Sequence, residues 1–266
     1  MSKCVGIVGV GNMGEALLAG LISSGHPTSQ ICITDKRDDH ATALATKYGV
    51  IQQGLSEIAA ECEVILVVVK PQDLASTLES LKATLGPRAL LVSFVAGKTI
   101  KSIEAIIGGS HGVIRVMPNT PTLIGKGMAA ISPGEYATSE DLGFVRHFLG
   151  ASGKVVEVEE KLQDAVTATS GSGPAYFFAF VEAMIQGGEQ LGLPTEVATE
   201  LTVQTIIGAA GMLAESGKDA KTLRENVTSP HGTTAAALAS FESADLMQIV
   251  RVAMKAAADR SAELAL

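Results

Sequence analysis

The chain predicts a doubly wound α/β domain over residues 1–160, followed by an all-α dimerisation domain over residues 161–266. Three observations carry this. Short Val- and Ile-rich runs alternate with amphipathic helical patterns through the first part, as parallel strands and crossover helices do. A Gly-x-Gly-x-x-Gly motif stands at the first strand–helix junction. After about residue 160 the strand-like runs vanish, and long apolar helical patterns replace them.

The first run, "KCVGIVGV" (3–10), reads as a strand that enters the glycine-rich turn. "GEALLAGLISSG" (14–25) reads as the helix leaving it, with Gly25 just past the helix end, where a left-handed residue terminates the turn. "ICIT" (31–34), "EVILVVV" (63–69), "ALLVSFV" (89–95), "GVIRVMP" (112–118), "MAAIS" (128–132) and "KVVEV" (154–158) supply further strands. Most are too short for buried helices and apolar enough to be covered on both faces. In the second part, "TSGSGPAY" places Pro174 in the first turn of a helix with Ser172 as its cap. That helix, "GPAYFFAFVEAMIQGGEQLG" (173–192), is apolar nearly all round and is expected to be buried on most sides, with Tyr176 and Phe177 as core or dimer contacts. A helix over 193–217 starts at Pro194 and stops at Gly217, and another over 243–265 is expected to open with Ser243 as N-cap. So much apolar helical surface is hard to bury within a domain of about a hundred residues, so homodimerisation through it is expected.

The bulk composition narrows the function. The 266 residues are 47% hydrophobic with a net charge of −8 and no basic run, which weighs against a nucleic-acid partner. The N-terminal apolar run is short and ends in glycines, unlike a signal peptide, and no apolar stretch is read as long enough for a membrane span. A soluble, cytoplasmic protein is expected. Cys4, Cys32 and Cys62 show no CxxC spacing and are read as buried free thiols of a reducing compartment, with no metal site expected.

In "VGIVGVGNMGEALL", Gly9 permits the tight turn, Gly11 lets the backbone approach a pyrophosphate, and Gly14 allows close helix–strand packing. Asn12 and Met13 stand at the start of the helix, whose free N–H groups face the phosphates. Asp35 ends the next strand, where the ribose-reading carboxylate of a dinucleotide-binding fold is expected. It would accept from a ribose 2′-OH and repel a 2′-phosphate; Lys36 and Arg37 beside it would hold that phosphate, so the motif leaves NADH and NADPH open. At the carboxyl ends of later strands, Val69, Lys70 and Pro71 in "VVVKPQ" and Ala96 and Gly97 in "VAGKT" are further cofactor candidates. Ala96 and Gly97 lack bulk and would admit a flat ring. Met117 and Asn119 in "RVMPNTP" are expected to line the cleft.

Five motifs in order, "GVGNMG", "VVVKPQ", "RVMPNTP", "TSGSGPAYFF" and "ENVTSPHGTTAAAL", together resemble the pyrroline-5-carboxylate reductase family from Gly6 to about Glu242. The resemblance implies a Rossmann domain followed by a helical dimerisation domain, and dimers or rings of dimers. It also implies reduction of the cyclic imine (S)-1-pyrroline-5-carboxylate to L-proline, most often with NADPH. By the same resemblance, Ser229 and the N–H groups of Thr233 and Thr234 take the substrate carboxylate, and Thr234 places a hydroxyl near the ring nitrogen as the catalytic donor. Asn226 and Glu160 match substrate positions. Val69, Lys70, Ala96 and Gly97 match cofactor contacts. Two positions depart from the family: His231 stands where a glycine is usual, and Leu55 where an asparagine often contacts the cofactor.

No His or carboxylate pair stands in these motifs as an evident general acid, so positioning and electrostatics are expected to dominate the reaction. The competing enzyme class, the β-hydroxyacid dehydrogenases, uses a catalytic Lys in the first helix after the nucleotide domain. Residues 162–191 here contain no lysine. A non-catalytic nicotinamide-binding sensor would keep the glycine motif but need not keep Asn226, Ser229 and Thr234 together.

Overall fold

The computed structural model describes residues 3–264. By compactness the chain divides into two units. One runs to Ser172 and takes back the chain from Ala257; the other is Gly173–Ala256.

In the first unit, eight strands of the described residues form one sheet: β1 Val5–Val8, β2 Ile31–Thr34, β3 Ile51–Gln52, β4 Val64–Val67, β5 Leu90–Ser93, β6 Val113–Met117, β7 Gly127–Pro133 and β8 Gly153–Glu157. Their order is β3-β2-β1-β4-β5-β6-β7-β8. Every neighbouring pair is parallel except β6–β7. Between the strands run α1 Asn12–Ser23, α2 Asp38–Tyr48, α3 Leu55–Glu61, α4 Leu74–Lys82, α5 Ile100–Ile107 and α6 Ser139–Gly150. Strand side chains alternate between faces, and two buried clusters result. Ile7, Ile33, Leu66 and Val92 pack with Leu17, Leu18, Leu21 and Phe148 on one face. Val8, Ile65, Val67 and Leu91 pack with Ile58, Leu78, Leu81 and Ile103 on the other. A sheet covered on both faces explains why its strands read as continuous apolar runs rather than alternating ones.

The expected cap at Ser172 needs correction. Ser172 does not cap a new helix: α7 Gln163–Val166 runs into a π-helical turn, Thr167–Gly171, and the Ser172 N–H donates back to Thr167 O at 2.8 Å. Gly171 carries no side chain because Met117 packs where one would be.

The second unit holds α8 Gly173–Gln190, α9 Thr195–Glu215, α10 Ala220–Asn226, α11 Thr233–Ser243 and most of α12 Leu246–Glu263. α8 packs against α9, and Phe180 meets Phe241 of α11 with ring centroids 6.1 Å apart. Ser243 closes α11 instead of opening the next helix. Asp245, at φ 52°, accepts the Gln248 N–H on its Oδ1 at 3.3 Å and so opens α12. The predicted burial of α8 is not met within the chain: Phe177 and Phe178 are 63% and 67% exposed. The expected absence of a membrane-length stretch also needs correction. α9 holds an 18-residue stretch with a mean hydropathy of 1.3, 11% of it buried, and is long and apolar enough to cross a membrane by length and composition.

Candidate active site

Gly9 follows β1 with φ 93°, a left-handed conformation costly for residues bearing Cβ. A Cβ there would also lie 2.7 Å from Val68 O. Gly14 faces Gly9 O so closely that a side chain would collide with it, so α1 packs tight on the turn. Gly11 differs: a Cβ would meet nothing within 4 Å. α1 starts at Asn12 with no side-chain cap, Met13 is half-buried and Asn12 exposed. An open face above Gly11 and an uncapped helix start are what a pyrophosphate needs.

Asp35 braces this turn. Its Oδ2 accepts the Val10 N–H at 2.9 Å, and its Oδ1 accepts the Arg37 N–H at 3.0 Å and Arg37 Nε at 3.3 Å. Burial pushes its carboxyl pKa up, but the N–H groups of Arg37 and Val10 and the Arg37 side chain outweigh that and hold it below the usual value. His40 Nε2 meets Val10 O at 2.9 Å, a second brace. Lys36 pairs with Asp73 at 2.7 Å, with its own side chain largely exposed. Val69 is half-buried, Lys70 exposed, and Pro71 begins a short 3₁₀ turn that ends the strand segment. Ala96 is half-buried. Gly97, at φ 75°, is buried against the end of α12: a Cβ there would lie 2.7 Å from Leu264 Cβ.

Glu160 is engaged within the first unit. Its Oε1 accepts the Ile100 N–H at 2.7 Å and Arg115 Nη1 at 3.2 Å. Arg115 is 5% exposed, and its other Nη lies 3.9 Å from Asp164, which accepts Ser261 Oγ–H at 2.7 Å. Sequence reading passed over Arg115 and Asp164. The signal was available: a single arginine inside the otherwise apolar "GVIRVMP" must be paired if that strand is buried. Asn119, expected to line the cleft, accepts the Met128 N–H at 2.8 Å and donates to Ser170 Oγ at 3.2 Å.

In the second unit, Ser229-Pro230-His231-Gly232 forms a tight turn closed by the Gly232 N–H to Ser229 O at 3.1 Å. Pro230 takes its second position and His231, at φ 57°, its third, as a type II turn requires. That geometry favours glycine at position 231, which accounts for the glycine usual in the resembling family. Gly232 then caps α11 with no side-chain cap bond, and the Ser229 hydroxyl lies where a Gly232 side chain would be. Thr233 and Thr234 therefore open α11 beside the Ser229 hydroxyl. Asn226 ends α10, exposed, a few residues upstream.

Residues 160–264 match the model for pyrroline-5-carboxylate reductase dimerisation, and residues 4–97 the model for NADP oxidoreductase, coenzyme F420-dependent. The chain is 39% identical to a pyrroline-5-carboxylate reductase of Corynebacterium melassecola over 98% of both chains. A solved pyrroline-5-carboxylate reductase from Coxiella burnetii matches all of both chains with a TM-score of 0.93 at 34% identity. The Plasmodium falciparum enzyme, solved with NADP bound, matches 99% of this chain and 98% of its own, with a TM-score of 0.88 at 30% identity. A bare, uncapped nucleotide turn in a doubly wound sheet, a helical dimerisation domain and end-to-end likeness agree: this chain belongs to the pyrroline-5-carboxylate reductase family.

Proposed function

We propose that the chain reduces (S)-1-pyrroline-5-carboxylate to L-proline with NADPH, in the cytoplasm, as a homodimer formed through its helical domain. The reaction is the family's: an NAD(P)H-dependent reduction of a cyclic C=N bond. The observation that carries the residue assignment is the start of α11. There the N–H groups of Thr233 and Thr234 and the Ser229 hydroxyl converge with no side chain capping them. A helix N-terminus of this kind favours a carboxylate by dipole and by hydrogen bonding. Ser229, Thr233 and Thr234 clamp the substrate carboxylate, with Asn226 beside them. The Thr234 hydroxyl faces the ring nitrogen and donates to it, or passes on a proton from water, as the imine becomes an amine.

When bound, the dihydronicotinamide supplies the hydride to the imine carbon. Gly9, Gly11 and Gly14, with the N–H groups of Asn12 and Met13, hold its pyrophosphate, and Val69, Lys70, Pro71, Ala96 and Gly97 border the remainder. NADPH is preferred in this reading because Lys36 and Arg37 flank the adenosine ribose position. Their present pairs, with Asp73 and Asp35, are surface pairs worth about 0–1 kcal/mol each, so turning to a 2′-phosphate costs little. Asp35 spends both oxygens on the turn and so repels that phosphate less than a free carboxylate would. The NADP-bound Plasmodium relative supports the same preference.

Thr234→Ala tests the donor. It is expected to lower kcat about tenfold or more, a loss of ~1.4 kcal/mol in transition-state stabilisation, with NADPH affinity unchanged by fluorescence titration. An unchanged kcat removes Thr234 from the mechanism.

A further inference from the structure

The three cysteines, spread over the first 62 residues, meet at one place. β1 and β2 pair with Gly6 opposite Cys32. Two-residue alternation puts Cys4 on the same sheet face as Gly6. α3 covers that face. A side chain at Gly6 would collide with Ile58 and come within 3.2 Å of Cys62 Sγ; without one, Cys62, which follows the last residue of α3, drops onto the sheet. The three Sγ atoms lie within 4.8 Å of one another. Cys4 Sγ is 3.2 Å from Cys62 Sγ and 4.0 Å from Cys32 Sγ. Cys32 and Cys62 are buried, Cys4 is half-buried, and all three are free thiols.

Thiols that merely fill a core turn their sulfurs to aliphatic neighbours, since S–H is a weak donor and S a weak acceptor. These turn to each other. Three metal–thiolate bonds of ~2.3 Å in a trigonal plane set the sulfurs about 4 Å apart, close to the spacing here. Thiolate is the form that ligates. The donor set is all sulfur: of the carboxylates beside it, Glu63 accepts the Cys4 N–H at 3.1 Å and Glu61 accepts the Gln53 side-chain N–H at 2.9 Å. Such a soft set selects Cu(I) or Zn(II) over oxygen-seeking ions. Cys4 precedes β1 and Gly9 follows it, so about 16 Å of strand separates this cluster from the nucleotide turn, at ~3.3 Å per residue.

We propose that Cys4, Cys32 and Cys62 form a three-thiolate site for one thiophilic d¹⁰ metal ion, Cu(I) or Zn(II), at the end of the sheet away from the cofactor. The ion replaces the thiol protons, which pass to solvent, and it ties β1, β2 and α3 together. The site is independent of the reductase assignment.

The test uses the full chain, reduced and anaerobic. One portion is titrated with Cu(I) against bathocuproine disulfonate and another with Zn(II) against a chromogenic zinc chelator; native mass spectrometry gives the stoichiometry. One equivalent of one of these ions per chain is expected, with three sulfur neighbours by X-ray absorption. Cys4→Ser, at the half-buried position, is expected to weaken retention at least tenfold while far-UV circular dichroism and NADPH oxidation stay unchanged. Cys32→Ala supplies a second loss of binding. Retention no better than that of a Cys4/Cys32/Cys62→Ala variant overturns the proposal. So does retention undiminished by Cys4→Ser, or a Cys4–Cys62 disulfide formed under mild peroxide in a protein that takes up neither ion.

Discussion

His231 sits at φ 57° in the turn that leads into α11, where a residue with a Cβ is strained by about 1 kcal/mol or more. Its ring is exposed and has no assigned role in the carboxylate clamp. His231→Gly is therefore expected to raise unfolding stability by about 1 kcal/mol with turnover retained, as read from urea melts and steady-state rates. A loss of turnover would give the imidazole a role in the reaction. Asp35 makes a second residue-scale prediction. Its folded pKa lies below the usual 3.8, so its contribution to stability is present above that value and is lost as pH falls through the lowered one. Asp35→Asn should therefore cost most stability near neutral pH, and the gap to the parent protein should close in strong acid. A gap that is constant with pH contradicts this. The sequence located Asp35 well, because a strand end and a spacing from Gly14 are local facts. It did not show that Val10 and Arg37 use both oxygens, nor that Glu160 answers the buried Arg115 from 45 residues away. Those allocations are tertiary.

At the scale of elements, the strands were the most legible. Burial on both faces demands uninterrupted apolar runs, as in β1, β4 and β5, and the seven runs read as strands became seven strands, though β8 is largely exposed. β3 escaped because it is two residues long at the sheet edge, with Ile51 exposed. Helix ends were less legible where two capping residues compete. In "ESAD" both Ser243 and Asp245 are good N-caps, and the carboxylate of Asp245 takes the role because α11 continues through Ser243. The π turn over Thr167–Gly171 left no pattern in "TATSG" itself. The need for small residues there comes from Met117 and Asn119 packing onto it.

The whole molecule leaves its largest apolar surface on the helical unit. Leu201 and Ile207 of α9 are 55% and 56% exposed, as are Phe177 and Phe178 of α8 to a similar degree. Isolated chains rarely keep such patches in water. The match to a dimerisation domain over 160–264 names a cover for them. Replacing Leu201 and Ile207 together by Asp is expected to convert the proposed dimer to a monomer in sedimentation velocity; an assembly that persists would place the interface elsewhere. α9 was read at close to its true length, yet not as long and apolar enough for a membrane, which by length and composition it is; composition does not separate a helix that meets a protein partner from one that meets lipid. The proposed reaction is open to a direct assay, in which NADPH absorbance is followed as pyrroline-5-carboxylate is added to the purified protein. Enzyme-dependent loss of NADPH matched one-to-one by L-proline is expected. NADPH that stays constant, at enzyme levels where its binding is measurable, would contradict it.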